Sequence, residues 1–370
     1  MGGRLSAAAL ALALSAACGG KIVDGGAGGV GANGGFGTLG PGTLPPGTLA
    51  SVNEKATAIA VDANNVYWST TISNPDPTRG NRTTIRSVPK NGGAPAVVAT
   101  ATTWSYVGGL AVAGGRAYWA DGPVLFSVSI DGGPVTELSS RSAGDPCGTG
   151  CITSRLALNA TSAFWASSAF LGGSEGPVED RVFELPLAGG TPRTVAEQEL
   201  ELPAERFVDV AIDDANVYIG GAAGIFPAPI GGGPRTTFVY PITYRLAGLA
   251  VDEDNVYWLN DDWTMGIVKR TPKNDGSASA TTTLARSFPP RFPNGGIVVD
   301  EANVYWISSG AQGAVMKVPR DAGPAIDGGL MPALATEPDD PVALAVDQTS
   351  VYWVTAGGDV KKTDKTGRSP

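Results

Sequence analysis

No histidine occurs among the 370 residues, there are three cysteines, and 26 Lys+Arg stand against 35 Asp+Glu. Each shortage excludes a class of chemistry. Without histidine a Ser–His–acid triad cannot be assembled. The stretch Gly172-Gly173-Ser174-Glu175-Gly176 has the spacing of a nucleophile elbow but no base to activate its serine. Histidine-based lyase chemistry and histidine-containing zinc or facial-triad iron sites fall for the same reason. No Asp-x-Asp-x-Asp-Gly spacing offers calcium a loop, so neither a metal nor a cofactor is expected. A net charge of -9 argues against nucleic acid, whose phosphates demand a basic footprint. No apolar run approaches the roughly 20 residues of a membrane-spanning helix, and no long 3.6-residue periodicity occurs after residue 18.

The N-terminus does carry a signal. Arg4 precedes a run of small and apolar residues, Leu5 to Ala17, which suits a secretory h-region. It ends in Leu14-Ser15-Ala16-Ala17-Cys18, which resembles a bacterial lipobox, with Ser15 where that motif prefers Leu. The resemblance implies lipidation of Cys18 and a lipid-anchored protein of the bacterial cell envelope, in the outer membrane or at the surface. An ordinary signal peptide with an incidental cysteine is the other reading. The following stretch, 19–47, is Gly- and Pro-rich and nearly uncharged, so it cannot bury enough surface to fold. As a tether it reaches about 30 Å. Its Gly29-x-Gly31-x-x-Gly34 lacks the flanking strand and helix that a nucleotide-binding turn requires. The expected organisation is a signal peptide (1–17), a lipidated Cys and disordered tether (18–47), and a folded domain (48–370). In an exported chain Cys147 and Cys151, with three small residues between them, are expected to form a small local disulfide.

The folded part is repetitive. An apolar strand ending in Asp, three turn residues, and then Val-Tyr-Trp, or degenerate forms of these, recur seven times, on average about 48 residues apart. The clearest copies run Ile59–Trp68, Leu249–Trp258, Ile297–Trp306 and Leu344–Trp353; degenerate copies end at Trp119, Trp165 and Ile219. Each repeat reads as four short strands: in the first, A at Ala58–Asp62, B at Val66–Ser69, C at Ile85–Pro89 and D at Ala96–Thr100. Gly-rich turns such as Asn91-Gly92-Gly93 close the C strands. This is the signature of a seven-bladed β-propeller, an all-β fold of four-stranded antiparallel blades. The residues resemble the YWTD repeats of low-density-lipoprotein-receptor-type propellers over 56–367, although Thr-Asp does not follow Tyr-Trp here and those receptors have six blades. The seventh copy stops after its C strand. Gly47-Thr48-Leu49-Ala50 resembles a D-strand ending, so the N-terminal strand is expected to complete the last blade and close the ring. Six of the eight tryptophans occupy the motif position and are assigned to the inter-blade core, and the repeated Asp62, Asp213, Asp252, Asp300 and Asp347 to turn structure.

Function in such a ring is carried by what varies between blades. The A–B and C–D turns are short and alike, whereas the B–C and D–A loops share the other face and differ. Two B–C loops are expected to be long, Thr70–Thr84 and Ser167–Arg181. That face collects Trp104, Tyr106, Glu175, Glu179, Asp180, Tyr240, Tyr244, Asp261, Asp262, Trp263, Asp339 and Asp340, the candidate binding face. Acids beside aromatics suit a protein, peptide or glycan partner, in a non-catalytic protein tethered to the membrane through its lipid. The alternative is a carboxylate-based hydrolase or lyase acting on an extracellular sugar polymer, which two acids converging at roughly 5–10 Å would favour.

Overall fold

A computed structural model describes residues 17–19, 44–76, 79–105, 107–140, 151–170, 178–200, 207–221, 224–239, 242, 245–261, 265–287, 296–308, 313–325 and 331–367. They form seven antiparallel sheets and no α-helix. Apart from Ala17–Gly19 on the inner edge of blade one and Thr48–Ser51 on the outer edge of blade seven, each sheet is one repeat with its strands in sequence order from the axis outward. Blade one runs Ala56–Val61 (A), Asn65–Ile72 (B), Asn81–Pro89 (C) and Ala96–Thr103 (D). The innermost strand of each blade is the apolar run that ends in the motif Asp or its substitute.

Ring closure follows the expectation. Blade seven consists of Pro341–Val346, Ser350–Thr355 and Asp359–Asp364, and its outer strand is Thr48–Ser51 from the other end of the chain. Thr48 lies opposite Lys361 and Ser51 opposite Asp359, and the Lys362 N–H donates to Gly47 O at 2.7 Å. Leu49 and Ala50 enter the same core cluster as Trp68 of blade one and Trp353 of blade seven. The short strand Ala17–Gly19 pairs antiparallel with the inner strand of blade one, Cys18 opposite Ile59.

Blade four departs from the pattern. Among the described residues it has three strands, Phe207–Ile212, Asn216–Gly221 and Gly224–Pro229. Its fourth position holds a single bridge, Ile225 opposite Val239. The cause lies in its C strand. Ile225, Pro227 and Pro229 share the outward edge, and only Ile225 has an N–H to donate there. The passing segment is held instead by Thr236 N to Pro227 O at 3.0 Å and Phe238 N to Ile225 O at 3.0 Å.

Strand alternation sorts the motif aromatics onto opposite faces of each sheet. The Trp packs on the preceding blade: Trp119 against Ile85 and Val98 of blade one, Trp258 against Tyr218 and Ile225 of blade four, Trp306 against Val268 and Leu284 of blade five. The Tyr packs on the blade that follows. All six motif tryptophans are buried, as assigned from the sequence. Each fills the wedge between two radiating sheets, where truncation to Ala costs about 3–5 kcal/mol.

Candidate functional site

The A–B and C–D turns make a regular face. Asp62 Oδ1 accepts the N–H groups of Asn64 and Asn65 at 2.7 Å each, and Oδ2 accepts the Tyr67 hydroxyl at 2.7 Å. The same staple recurs at Asp213–Tyr218, Asp252–Tyr257 and Asp347–Tyr352, and Asp300 caps its own turn alike. A cation from the following blade then reaches the acid. Lys90, Lys273 and Lys365 stand 2.6 Å from Asp347, Asp213 and Asp300, and Arg320 stands 3.2 Å from Asp252. Burial works to raise the pKa of Asp213, Asp300 and Asp347, but the lysine ammonium and the turn N–H groups outweigh it. Asp213 and Asp300 are lowered, and Asp347 falls to about 2. Burial together with the adjacent Asp raises the tyrosines far above their ordinary range.

These clasps link blades four to five, five to six, six to seven and seven to one. In blades two, three and four the cation position holds Ile130, Leu187 and Ile230, each placed by the same N–H bond to its own A–B turn. Ala113 and Asn159 replace the acid opposite two of them, whereas Asp62 faces Ile130 and has no clasping cation among the described residues.

The opposite face is irregular. The two B–C loops expected to be long begin and end in strand. In blade one the hairpin stays paired to Ile72 opposite Arg82, and in blade three to Phe170 opposite Val178. Threonine explains the first: Thr71, Thr83 and Thr103 bond through their hydroxyls across three strands at 3.0 and 2.9 Å, a cross-strand ladder that suits β-branched residues. Blade one thus rises above the ring and exposes Ile72 and Trp104 at its edge.

The candidate residues are distributed round this face. Trp104 is 36% exposed, and its N–H donates to Asp121 Oδ2 at 2.8 Å. Asp121, buried at the end of a B strand, also takes the N–H and hydroxyl of Ser105. Glu179 pairs with Arg181. Asp180 is buried and accepts the Phe207 N–H at 2.5 Å, and Asp261 is buried too. Asp339 Oδ2 accepts Gly357 N at 3.2 Å, and Asp340 O accepts Ala356 N at 2.9 Å. Trp104, Asp180, Asp261 and Asp339 thus lie on or beside different blades, and Asp180 is held in the framework. Tyr106, Cys147, Glu175, Tyr240, Tyr244, Asp262 and Trp263 lie outside the described residues. Cys151 opens the inner strand of blade three and is disulfide-bonded. Among the described residues no group of three acids or cysteines could hold a metal ion.

Two further constellations were not read from the sequence. On the axis, Arg155 of blade three reaches Leu249 O of blade five at 3.3 Å and Ile297 O of blade six at 3.0 Å. Its Nη2 stands 3.4 Å from Asp209 Oδ2 of blade four. That carboxylate also accepts the N–H groups of Leu249 and Val210. Burial raises the Asp209 pKa, and Arg155 and the two N–H groups only partly offset it. The pair ties together the unpaired inner edges of four blades. Aligning the repeats would have found it, because Arg155 and Asp209 stand where the other copies have Ala58, Gly109, Gly248, Gly296 and Ala343.

Nearer the rim, carboxylates bridge blades beside the motif Trp. Glu337 ends the D strand of blade six; it accepts Trp353 Nε1 at 3.2 Å and pairs with Lys361 at 2.9 Å. Lys361 lies directly opposite Trp353 in blade seven. In blade one Arg86, opposite Trp68, pairs with Glu54 at 2.9 Å, just beyond the D strand of blade seven.

Comparison with family models and with curated proteins finds no match to this sequence. Solved structures do match. The chain is similar to the computationally designed Ika8 protein, at 13% identity and TM-score 0.51 over 86% of this chain and 98% of that one. Regucalcin from Agrobacterium tumefaciens, described as calcium-binding, matches at 11% identity and TM-score 0.48 over 72% and 86% of the two chains. BamB from Moraxella catarrhalis matches at 12% identity and TM-score 0.44 over 82% and 81%. At such identities the likeness speaks to fold alone. The chain is a seven-bladed β-propeller.

Proposed function

We propose that this propeller is a non-catalytic, envelope-tethered lipoprotein whose B–C and D–A face binds a protein, peptide or glycan. The observation that carries the reading is the contrast between the two faces. One is a ring of short, alike turns, clasped by acid–cation pairs from blade four round to blade one. The other is irregular, with a blade-one hairpin raised above the ring and an exposed Trp104. Rigid frames that vary on one face are where recognition is usually built. The described acids of that face support binding over hydrolysis, since Asp121 and Asp180 are consumed by backbone donors. The lipobox-like segment ending at Cys18 and the Gly-rich stretch after it supply the tether.

Two measurements test this. Cys18→Ala should abolish lipid processing and release the protein from the membrane fraction; unchanged processing and fractionation would end the lipoprotein reading. Glycan and peptide arrays probed with the soluble domain and with Trp104→Ala should show ligands that the variant binds at least tenfold more weakly. Release of reducing ends from a bound polysaccharide would replace binding by catalysis.

A further inference from the structure

The cleft between blades four and five repeats the carboxylate bridge of blades six and seven with one part missing from the chain. Lys269 lies directly opposite Trp258, as Lys361 lies opposite Trp353. At blade seven the bridging acid, Glu337, comes from the D strand of the preceding blade. Blade four has three strands among the described residues, so it brings no such acid to Trp258 and Lys269. Lys269 has no carboxylate partner among the described residues, and burial together with the nearby Arg286 lowers its pKa. Trp258 Nε1 is buried without an acceptor, and so are both amide atoms of Asn260, a side chain only 1% exposed. Asn260 is two residues along the same strand and therefore on the same face, toward blade four. Arg286 is placed on that face too, opposite Ile267, which is itself opposite Asn260.

The half-buried ammonium of Lys269, with the buried indole N–H and amide NH₂ on the same face, presents three donors to an acceptor that carries a single negative charge. We propose that this cleft is a binding site for a carboxylate, which takes the position that Glu337 occupies between blades six and seven. The carboxylate bridges Lys269 Nζ and Trp258 Nε1, and the Asn260 amide donates to it from above. This site adjoins the B–C and D–A face, since Asn260 precedes Asp261 on the same strand, but it does not depend on that reading.

The test is calorimetric titration of the soluble domain with two carboxylates, N-acetylglutamic acid α-amide and glucuronate. N-acetylglutamine α-amide and glucose serve as uncharged counterparts. At least one carboxylate should bind saturably and its counterpart should not; which of the two binds distinguishes a peptide from a sugar source. Lys269→Met should weaken that binding at least tenfold while the unliganded melting temperature holds or rises, because a cation beside Arg286 has been removed. Trp258→Phe keeps the packing ring and should weaken binding severalfold. Failure of both carboxylates to bind at tens of millimolar, or equal affinity in Lys269→Met, overturns the proposal.

Discussion

Replacing Lys90 by Met removes the ammonium that clasps blade one to blade seven and keeps most of the side-chain bulk. Lys90 Nζ stands 2.6 Å from Asp347 Oδ2, with the two side chains 16% and 20% exposed, and 5.5 Å from the Tyr352 ring centroid. Asp347 has a folded pKa of about 2 against an ordinary 3.8. That depression corresponds to about 2 kcal/mol of stability at neutral pH. It is fully present above the unfolded value and lost as pH falls through the folded one, with about half gone by pH 3. The N–H groups of Thr349 and Ser350 supply part of it and remain in the variant. Loss of Lys90 should therefore cost about 1 kcal/mol at pH 7, the upper end for a partly exposed pair. Urea unfolding of both proteins from pH 7 to pH 3 measures the difference directly, since every other carboxylate cancels. The gap should narrow by about a quarter by pH 3. A gap that stays constant or widens on acidification would refute the assignment of the Asp347 shift to Lys90.

Ile130→Lys places an ammonium at the one junction where a stapled Asp, Asp62, faces an apolar side chain, and it should stabilise the protein by about 0.5 kcal/mol; the midpoint of urea unfolding checks this. Arg155→Met leaves Asp209 buried without its counter-charge and should cost about 3–5 kcal/mol. Adding Asp209→Asn should recover much of that loss. A double variant less stable than Arg155→Met alone would show that the axial pair does not act as a unit.

The repeat made the fold legible because it is local: every copy shows its own inner strand, turn and Val-Tyr-Trp strand within about a dozen residues. The N-terminal match to a D-strand ending carried the closure of blade seven as well. What joins one blade to the next was not legible. In sequence Lys90, Lys273 and Arg320 stand only where a C strand gives way to its turn, because each partner acid lies one blade away in space and up to 257 residues away in sequence. That blade four has three strands among the described residues follows from Pro227 and Pro229, but only once their backbone nitrogens are known to face outward. Thr70–Thr84 reads as a loop for its polarity, yet alternating threonines can hydrogen-bond to one another across a hairpin. Asp180 looked like a surface acid because composition cannot show that the Phe207 N–H of the next blade needs an acceptor.

Thr48–Ser51 closes the seven-bladed ring. Leu49 is 6% and Ala50 1% exposed at that closure, and burial of Leu49 alone contributes about 2 kcal/mol. Two shortened proteins test it, one beginning at Gly40 and one at Lys55, compared by thermal melting and light scattering. The protein that begins at Gly40 should match the full domain, and the one that begins at Lys55 should melt lower or aggregate through the exposed edge of Asp359–Asp364. Equal melting of the two would contradict the closed ring.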